Sequence, residues 1–359
     1  MAMMDHRKME RTMATKYILV ASSIVLSVAS PAIAADDEDF LKKAQEIFRP
    51  LPKYMSDPAT TLAKEQIALG RLLFFDPRIT ADGDVSCATC HQPALYGADG
   101  RPTSIGVKQR LHPRNAPTVF NAALYSAVHW RGDRKDLEDQ AEQALIGAIS
   151  SGLDEGGVTE RLERIEGYGP LFAAAFPTDA LPMTVKNMAN AIVAYERTLL
   201  TPAPFDAYLA GNVDALSPVV RRGLETFINT GCVVCHNGVS IGGDMYRKFG
   251  IVEDYWSATG SRSIDKGRVE VTKNPDDLYV FRVPSLRNVA MTAPYFHDGS
   301  VATLADAVKI MGQVQLGMKL GDDEINDIVS FLNSLTGDLP IEFAAPAALP
   351  PASVTAHQR

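Results

Sequence analysis

The sequence predicts a mainly α-helical protein made of two small domains that share one plan. Apolar residues recur at three- and four-residue steps in "TLAKEQIALGRLLFF" (61–75) and in "SPVVRRGLETFINTG" (217–231), the period of a helix with one buried face. Each stretch leads into the same pattern, "CATCH" at 87–91 and "CVVCH" at 232–236. Each half closes on a similar helix, "AIVAYERTL" at 191–199 and "DIVSFLNSL" at 327–335. No alternating strand pattern persists beyond a few residues.

The ends fall outside this plan. "HRK" and Arg11 precede the apolar run "YILVASSIVLSVAS", and "AIA" offers a small-residue cleavage site. Residues 1–34 therefore read as a secretory signal peptide directing export to the periplasm. As a membrane anchor the run is short and rich in Ser, so no span is expected after its removal. The remaining 325 residues exceed one ordinary core. The break is expected near "LLTPAPFDAYLAGNVDALSP", where prolines interrupt the helical period. This gives a first domain at 35–204 and a second at 205–340. The Pro/Ala-rich tail at 341–359 is expected to wrap the surface or stay disordered.

Without the signal segment, 31 basic residues face 41 acidic ones, a net charge of −10. That balance argues against nucleic acid and anionic membranes as partners. It suits a basic partner protein, although acidity also serves solubility alone.

Four cysteines in an exported chain ordinarily suggest two disulfides. Here they form two Cys-x-x-Cys pairs, each followed at once by histidine, which is the attachment signature of c-type haem. Two thioethers hold the porphyrin while His91 or His236 ligates the iron. A redox dithiol needs no following histidine. A zinc site joining Cys87 and Cys90 to Cys232 and Cys235 would leave both histidines unexplained. The fold class is thus mainly α, two cytochrome c-like domains, each with one covalently bound c-type haem. The sixth iron position decides between electron transfer and reaction with an oxidant. In the second half the candidate ligands are Met245, Met291, Met311 and Met318; Met311, before the closing helix, is placed either to ligate or to fill the core.

Seven segments together resemble the bacterial di-haem cytochrome c peroxidases, the family that also contains the MauG-type maturation enzymes. They are "LGRLLFFDPRIT", "CATCHQP", "RNAPTVFN", "HWRGDRKDLEDQA", "CVVCHNG", "FRVPSLRNVAMTAPYFHDGSVATLADAV" and "IVSFLNSLTG", in the family's order across nearly the whole mature chain. The resemblance implies that Met311, fourteen residues after His297, ligates the second haem. That haem would receive electrons from a small donor protein, a cytochrome c or a cupredoxin. It further implies that Trp130 lies between the haems, that Gln140 orients hydrogen peroxide at the first haem, and that family members are often homodimers. A calcium ion is implied between the domains, held by the side chain of Asn115 and the carbonyls of Thr292 and Pro294, oxygen ligands that suit calcium. The plainer readings are a core tryptophan and ordinary turns.

Two positions depart from the family's pattern. The family's distal base, a glutamate ten residues after the distal glutamine, corresponds to Ser150, whose hydroxyl is no comparable base near neutral pH. Asp154 or Glu155 would have to swing in to replace it. The histidine that blocks the first iron in many members, sixteen residues after the haem histidine, corresponds to Val107. His112 reads as a solvent-facing loop residue, and His129 as a possible neighbour of the distal pocket. An open first haem resembles the MauG-type enzymes, which however place tyrosine where this chain has Met311 and keep the glutamate. The expected function is a periplasmic di-haem peroxidase reducing hydrogen peroxide to water. The alternatives are a MauG-type oxidase acting on Trp or Tyr of a partner protein and a non-enzymatic electron carrier.

Overall fold

Helices begin where side chains can take over the unpaired backbone donors of a first turn. Thr184 accepts from the Asn187 N–H, Ser217 from Val220 and Thr303 from Asp306. The computed structural model describes residues 35–53 and 64–352. The expected signal peptide at 1–34 and the last seven residues of the tail lie outside them.

In chain order the α-helices are α1 (Ala35–Ile47), α2 (Lys64–Phe75), α3 (Cys87–Cys90), α4 (Leu137–Leu145), α5 (Glu155–Glu163), α6 (Tyr168–Ala175) and α7 (Val185–Glu196). The second half supplies α8 (Pro204–Leu209), α9 (Pro218–Asn229), α10 (Tyr255–Thr259), α11 (Val269–Thr272), α12 (Leu304–Leu316) and α13 (Asp322–Asn333). Strands β1 (Tyr246–Lys248) and β2 (Val280–Arg282) form one short antiparallel pair, with Arg247 opposite Phe281.

Two cores organise these elements. The first gathers Leu69, Leu73 and Phe74 of α2, Leu137 and Ala141 of α4, and the apolar face of α7. The second gathers Leu224 and Phe227 of α9 with Ile328, Phe331 and Leu332 of α13. Each core rests on one helix crossing built the same way. A Cβ at Gly70 would overlap the Ala191 carbonyl of α7, and a Cβ at Gly223 would overlap the Asp327 carbonyl of α13. Glycine at both crossings lets the backbones touch.

The repeat continues in the loops. Asn121 and Asn288 are both left-handed, at φ 60°. Each donates its backbone N–H to the end of its own closing helix, to Leu199 O and Leu335 O. Their side chains meet at one hydroxyl: Asn121 Nδ2 and Asn288 Nδ2 each lie 2.8 Å from Thr201 Oγ1.

The cores do not follow a division of the chain at residue 204. Helix α1 opens the stretch expected as the first domain, yet Leu41, Ala44 and Phe48 are buried in the second core. Its apolar face fits α8, where the Phe48 and Phe205 rings pack edge to face at 5.2 Å. Conversely, the tail crosses back to the first core. Phe343 is buried there, its ring 4.7 Å from Phe120 and 5.8 Å from Phe74. Tyr195 and Arg71 donate to the carbonyls of Glu342 and Ala344. Between the halves, Arg114 makes a two-point ion pair with Asp265 at 2.7 and 2.9 Å, both side chains largely buried.

Candidate functional site: two cysteine-anchored cavities

Each Cys-x-x-Cys-His run forms a single helical turn, which turns both thiols and the imidazole toward one space. In α3, Ser86 N–H donates to Thr89 Oγ1 and His91 N–H to Cys87 O, both at 2.9 Å. In the second motif His236 N–H donates to Cys232 O at 3.0 Å. Nδ1 of His91 is 2.9 Å from Gly97 O, and Nδ1 of His236 is 3.3 Å from Ile241 O. With Nδ1–H committed to a carbonyl, the lone pair lies on Nε2, as a metal-binding imidazole requires.

Each motif lines its own cavity. Cys87, Cys90 and His91 line one of about 430 Å³; Cys232, Cys235 and His236 line another of about 420 Å³. Burial keeps both imidazoles neutral, His91 below its ordinary value and His236 down to about 4. Burial also raises the thiols, Cys87 to about 12 and Cys90 and Cys232 in the same direction. Redox dithiols and zinc thiolates are favoured by the opposite shift, and the cysteine pairs belong to separate cavities. A zinc site joining all four cysteines therefore loses its geometry.

The walls fit an acidic porphyrin. Arg282 lines both cavities, and its Nη1 is buried with no protein partner among the described residues. Nε of Arg131 and of Arg134 in the first cavity and His297 Nε2 in the second are likewise buried and unpartnered. Such donors match the two carboxylates of a haem, since a buried polar group left unpaired costs free energy.

The other residues singled out from sequence fall around these spaces. Met311, on α12, lines the second cavity with His236, whereas Met245, Met291 and Met318 do not. Trp130 lines both cavities, and its Nε1–H donates to Asn115 O at 2.9 Å. Asn115, Thr292 and Pro294 line the second cavity together. Among the described residues no hydrogen bond reaches the carbonyl of Thr292 or Pro294. Gln140, on α4, lines the first cavity, as does Ser150, whose hydroxyl donates to Ala144 O at 2.7 Å.

Among the loop residues, one departs from its expected place, His112. Asp154 caps α5 by accepting from Gly157 N–H at 2.8 Å, and neither it nor Glu155 lines the first cavity. Val107 is fully buried away from the cavity, its N–H on Ile149 O at 2.8 Å. His112 lines the first cavity instead of facing solvent. His129 lines it too, with Nδ1 3.4 Å from Asp133 Oδ2.

Sequence reasoning missed Tyr125 and Glu196. Tyr125 lines both cavities beneath the Arg282 guanidinium, 4.6 Å from its ring centroid. Glu196, on α7, lines the first cavity. Burial, reinforced by Glu138 and opposed by Arg197, pushes its carboxyl up to about 8. The available signal was alignment of the closing helices: "AIVAYERTL" carries glutamate where "DIVSFLNSL" carries Leu332.

The family model for di-haem cytochrome c peroxidases matches residues 64–214. The chain is 43% identical over 330 residues to the cytochrome c551 peroxidase of Pseudomonas aeruginosa, spanning 91% of this chain and 94% of that protein. It is 31% identical over 336 residues to the methylamine utilization protein MauG of Methylophilus methylotrophus, spanning 89% and 95%. Among solved structures, a MauG-like protein associated with microbial copper homeostasis superposes with a TM-score of 0.73 at 29% identity, over 82% of this chain and 98% of that one. With two cysteine-anchored cavities in one helical frame and identity sustained over nine-tenths of its length, this chain belongs to the di-haem cytochrome c peroxidase family.

Proposed function

We propose that this chain is a periplasmic di-haem peroxidase that reduces hydrogen peroxide to water with electrons from a small donor protein, a cytochrome c or a cupredoxin. The carrying observation is the unlike pair of cavities. A methionine stands with the haem histidine in the second, no methionine lines the first, and Trp130 lines both. When bound, the haems supply the redox chemistry, peroxide reacting at the first and electrons arriving at the second. Around them the chain's own residues position and screen. His91 and His236 offer Nε2 to the irons. Met311 would be the second protein ligand of the iron held by His236, which favours electron acceptance. Trp130 would carry electrons across the junction, and Gln140 would orient peroxide in the first cavity.

The buried position of Val107 supports a first haem that needs no reductive activation. The free carbonyls of Thr292 and Pro294, beside Asn115, support a calcium ion stiffening the junction. The charged run, apolar stretch and small-residue site at 1–34 support export. The family's habit supports a homodimer.

The same open first site favours a second reading, a MauG-type oxidase that modifies Trp or Tyr of a partner protein. One experiment separates the two. The resting protein is mixed with peroxide in a stopped-flow instrument, with and without prior half-reduction, and steady turnover is then measured with reduced cytochrome c. The peroxidase reading expects one high-spin and one low-spin ferric haem, immediate reaction without half-reduction, and sustained turnover. Long-lived oxidised haems with little turnover would transfer the assignment to the modifying oxidase. Two low-spin irons that ignore peroxide would leave an electron carrier.

A further inference from the structure

A peroxidase needs a group that moves one proton between the two peroxide oxygens, and Ser150 cannot do it. The geometry points to His112 as that group: its loop is fastened to the turn that carries Ser150, and it presents an imidazole to the same cavity. This inference rests on the peroxidase reading.

Four contacts hold the loop. Val107 N–H donates to Ile149 O at 2.8 Å, and Arg110 Nη1 donates to Ala148 O at 3.1 Å. Lys108 N–H donates to Asp82 Oδ2 at 2.8 Å, and His112 N–H to Ser104 O at 2.9 Å. Gly106 touches Ile149 so closely that any Cβ would overlap its carbonyl. The loop and the 147–152 turn are therefore joined, and both reach the first cavity, the loop through His112 and the turn through Ser150, with Gln140 of α4 lining it as well. Among the described residues, no hydrogen bond or ion pair engages the His112 ring. With valine at 107 and serine at 150, neither position offers a blocking ligand or a carboxylate base, and the His112 side chain lines the same cavity.

The other ionisable groups of the cavity are engaged elsewhere or poorly tuned. Asp76 holds Arg78 and the Tyr168 hydroxyl. Asp133 holds Arg131 and His129 and is kept well ionised. Glu196 stands on the closing helix, where Cys87 and Glu138 are its electrostatic neighbours. The groups acting on His112 oppose one another. Burial and His129 lower its proton affinity, Asp99 raises it, and the net shift is downward. The ring is neutral near neutral pH and ready to accept.

In the resulting step, His112 takes the proton from the near oxygen of hydrogen peroxide and returns it to the far oxygen, which leaves as water when the O–O bond breaks. Two electrons from the donor protein and two protons from solvent convert the retained oxygen to a second water.

The test uses the full-length protein with both haems, as wild type and as His112→Gln, Ser150→Glu, Glu196→Gln and the double variant His112→Gln/Ser150→Glu. The readouts are the peroxide reaction rate against pH, the association rate of cyanide, and the resting optical spectrum. Cyanide must also lose a proton on binding. His112→Gln is expected to slow both reactions about 100-fold, the lower end for a lost general base, and to remove the acid limb of the wild-type profile. In the double variant, Ser150→Glu is expected to restore most of the rate, with the acid limb moved into the carboxylate range. Should His112→Gln instead convert a low-spin haem to high-spin, His112 is a ligand and the inference falls. It also falls if His112→Gln keeps the wild-type rate and profile, or if the loss follows Glu196→Gln. If His112→Gln fails to take up haem, the single variant Ser150→Glu decides: a second acid limb added to the wild-type rate supports the inference, and an unchanged profile overturns it. A wild type that leaves peroxide unreduced sinks the peroxidase reading and this inference with it, an outcome distinct from a peroxidase indifferent to residue 112.

Discussion

The two halves use one backbone for two environments. Gly70 against Ala191 and Gly223 against Asp327 set the same helix crossing twice. Asn121 and Asn288 close the same loop twice onto Thr201. On that shared frame the side chains diverge. In the closing helices Ile192 and Ile328 both face a cavity, but one turn later the first presents Glu196 and the second Leu332. The first cavity also holds Gln140, Ser150, His112 and His129; the second has Met311 and the aromatic group of Phe249, Phe281 and Phe296. Polar groups that can exchange protons surround the site assigned to peroxide. Apolar groups and a thioether surround the site assigned to electrons, where hydrophobicity tunes potential without adding chemistry. The frame sets where a haem sits, and a handful of lining residues sets its use.

The largest expected effect comes from unmaking one half. Cys87→Ala with Cys90→Ala should leave a protein that carries one covalent haem by mass spectrometry and keeps the His236 centre's spectrum, while peroxide turnover vanishes. Loss of both haems would mean that the halves load together and the comparison is too simple.

Glu196→Gln comes next and probes the divergence at the closing helices. A carboxyl raised to about 8 holds a proton in the native state that the unfolded chain has already released. Wild-type stability therefore falls as pH climbs from about the ordinary glutamate value toward 8, at about 1.4 kcal/mol per pH unit. The uncharged variant escapes this loss. Its gain in melting temperature should be near zero at about pH 5, grow with pH and level off above 8. A pH-independent difference would refute the buried, protonated carboxyl.

The smallest effect tests the shared frame. Gly70→Ala and Gly223→Ala should each cost about 1–3 kcal/mol by overpacking, as read from denaturant midpoints. Unequal costs would show which crossing relaxes.

The sequence made some of this legible and hid the rest for physical reasons. The haem motifs are readable because both thiols and the imidazole come from one helical turn, so their geometry is local. From its place before the closing helix Met311 was readable only as a cavity or core residue, and its ligand role came from the family resemblance. Glu196 was hidden because a charge in a helical period usually marks the solvent face, yet α7 is buried on nearly every side. The packing of α1 on the second core was hidden because Leu41, Ala44 and Phe48 meet partners more than 150 residues away, which no local pattern records. His112 was misplaced in solvent because its position depends on hydrogen bonds to Ile149 and Ala148, some forty residues away.

The interlacing of the two ends bears on how the molecule is made. The earliest helix of the described chain waits for a core whose other members are synthesised last, and the opening core lacks its Phe343 plug until the final stretch emerges. Neither half can be finished as the polypeptide is threaded out in order. The stretch around Phe343 then closes the first core, after both Cys-x-x-Cys-His motifs have already emerged.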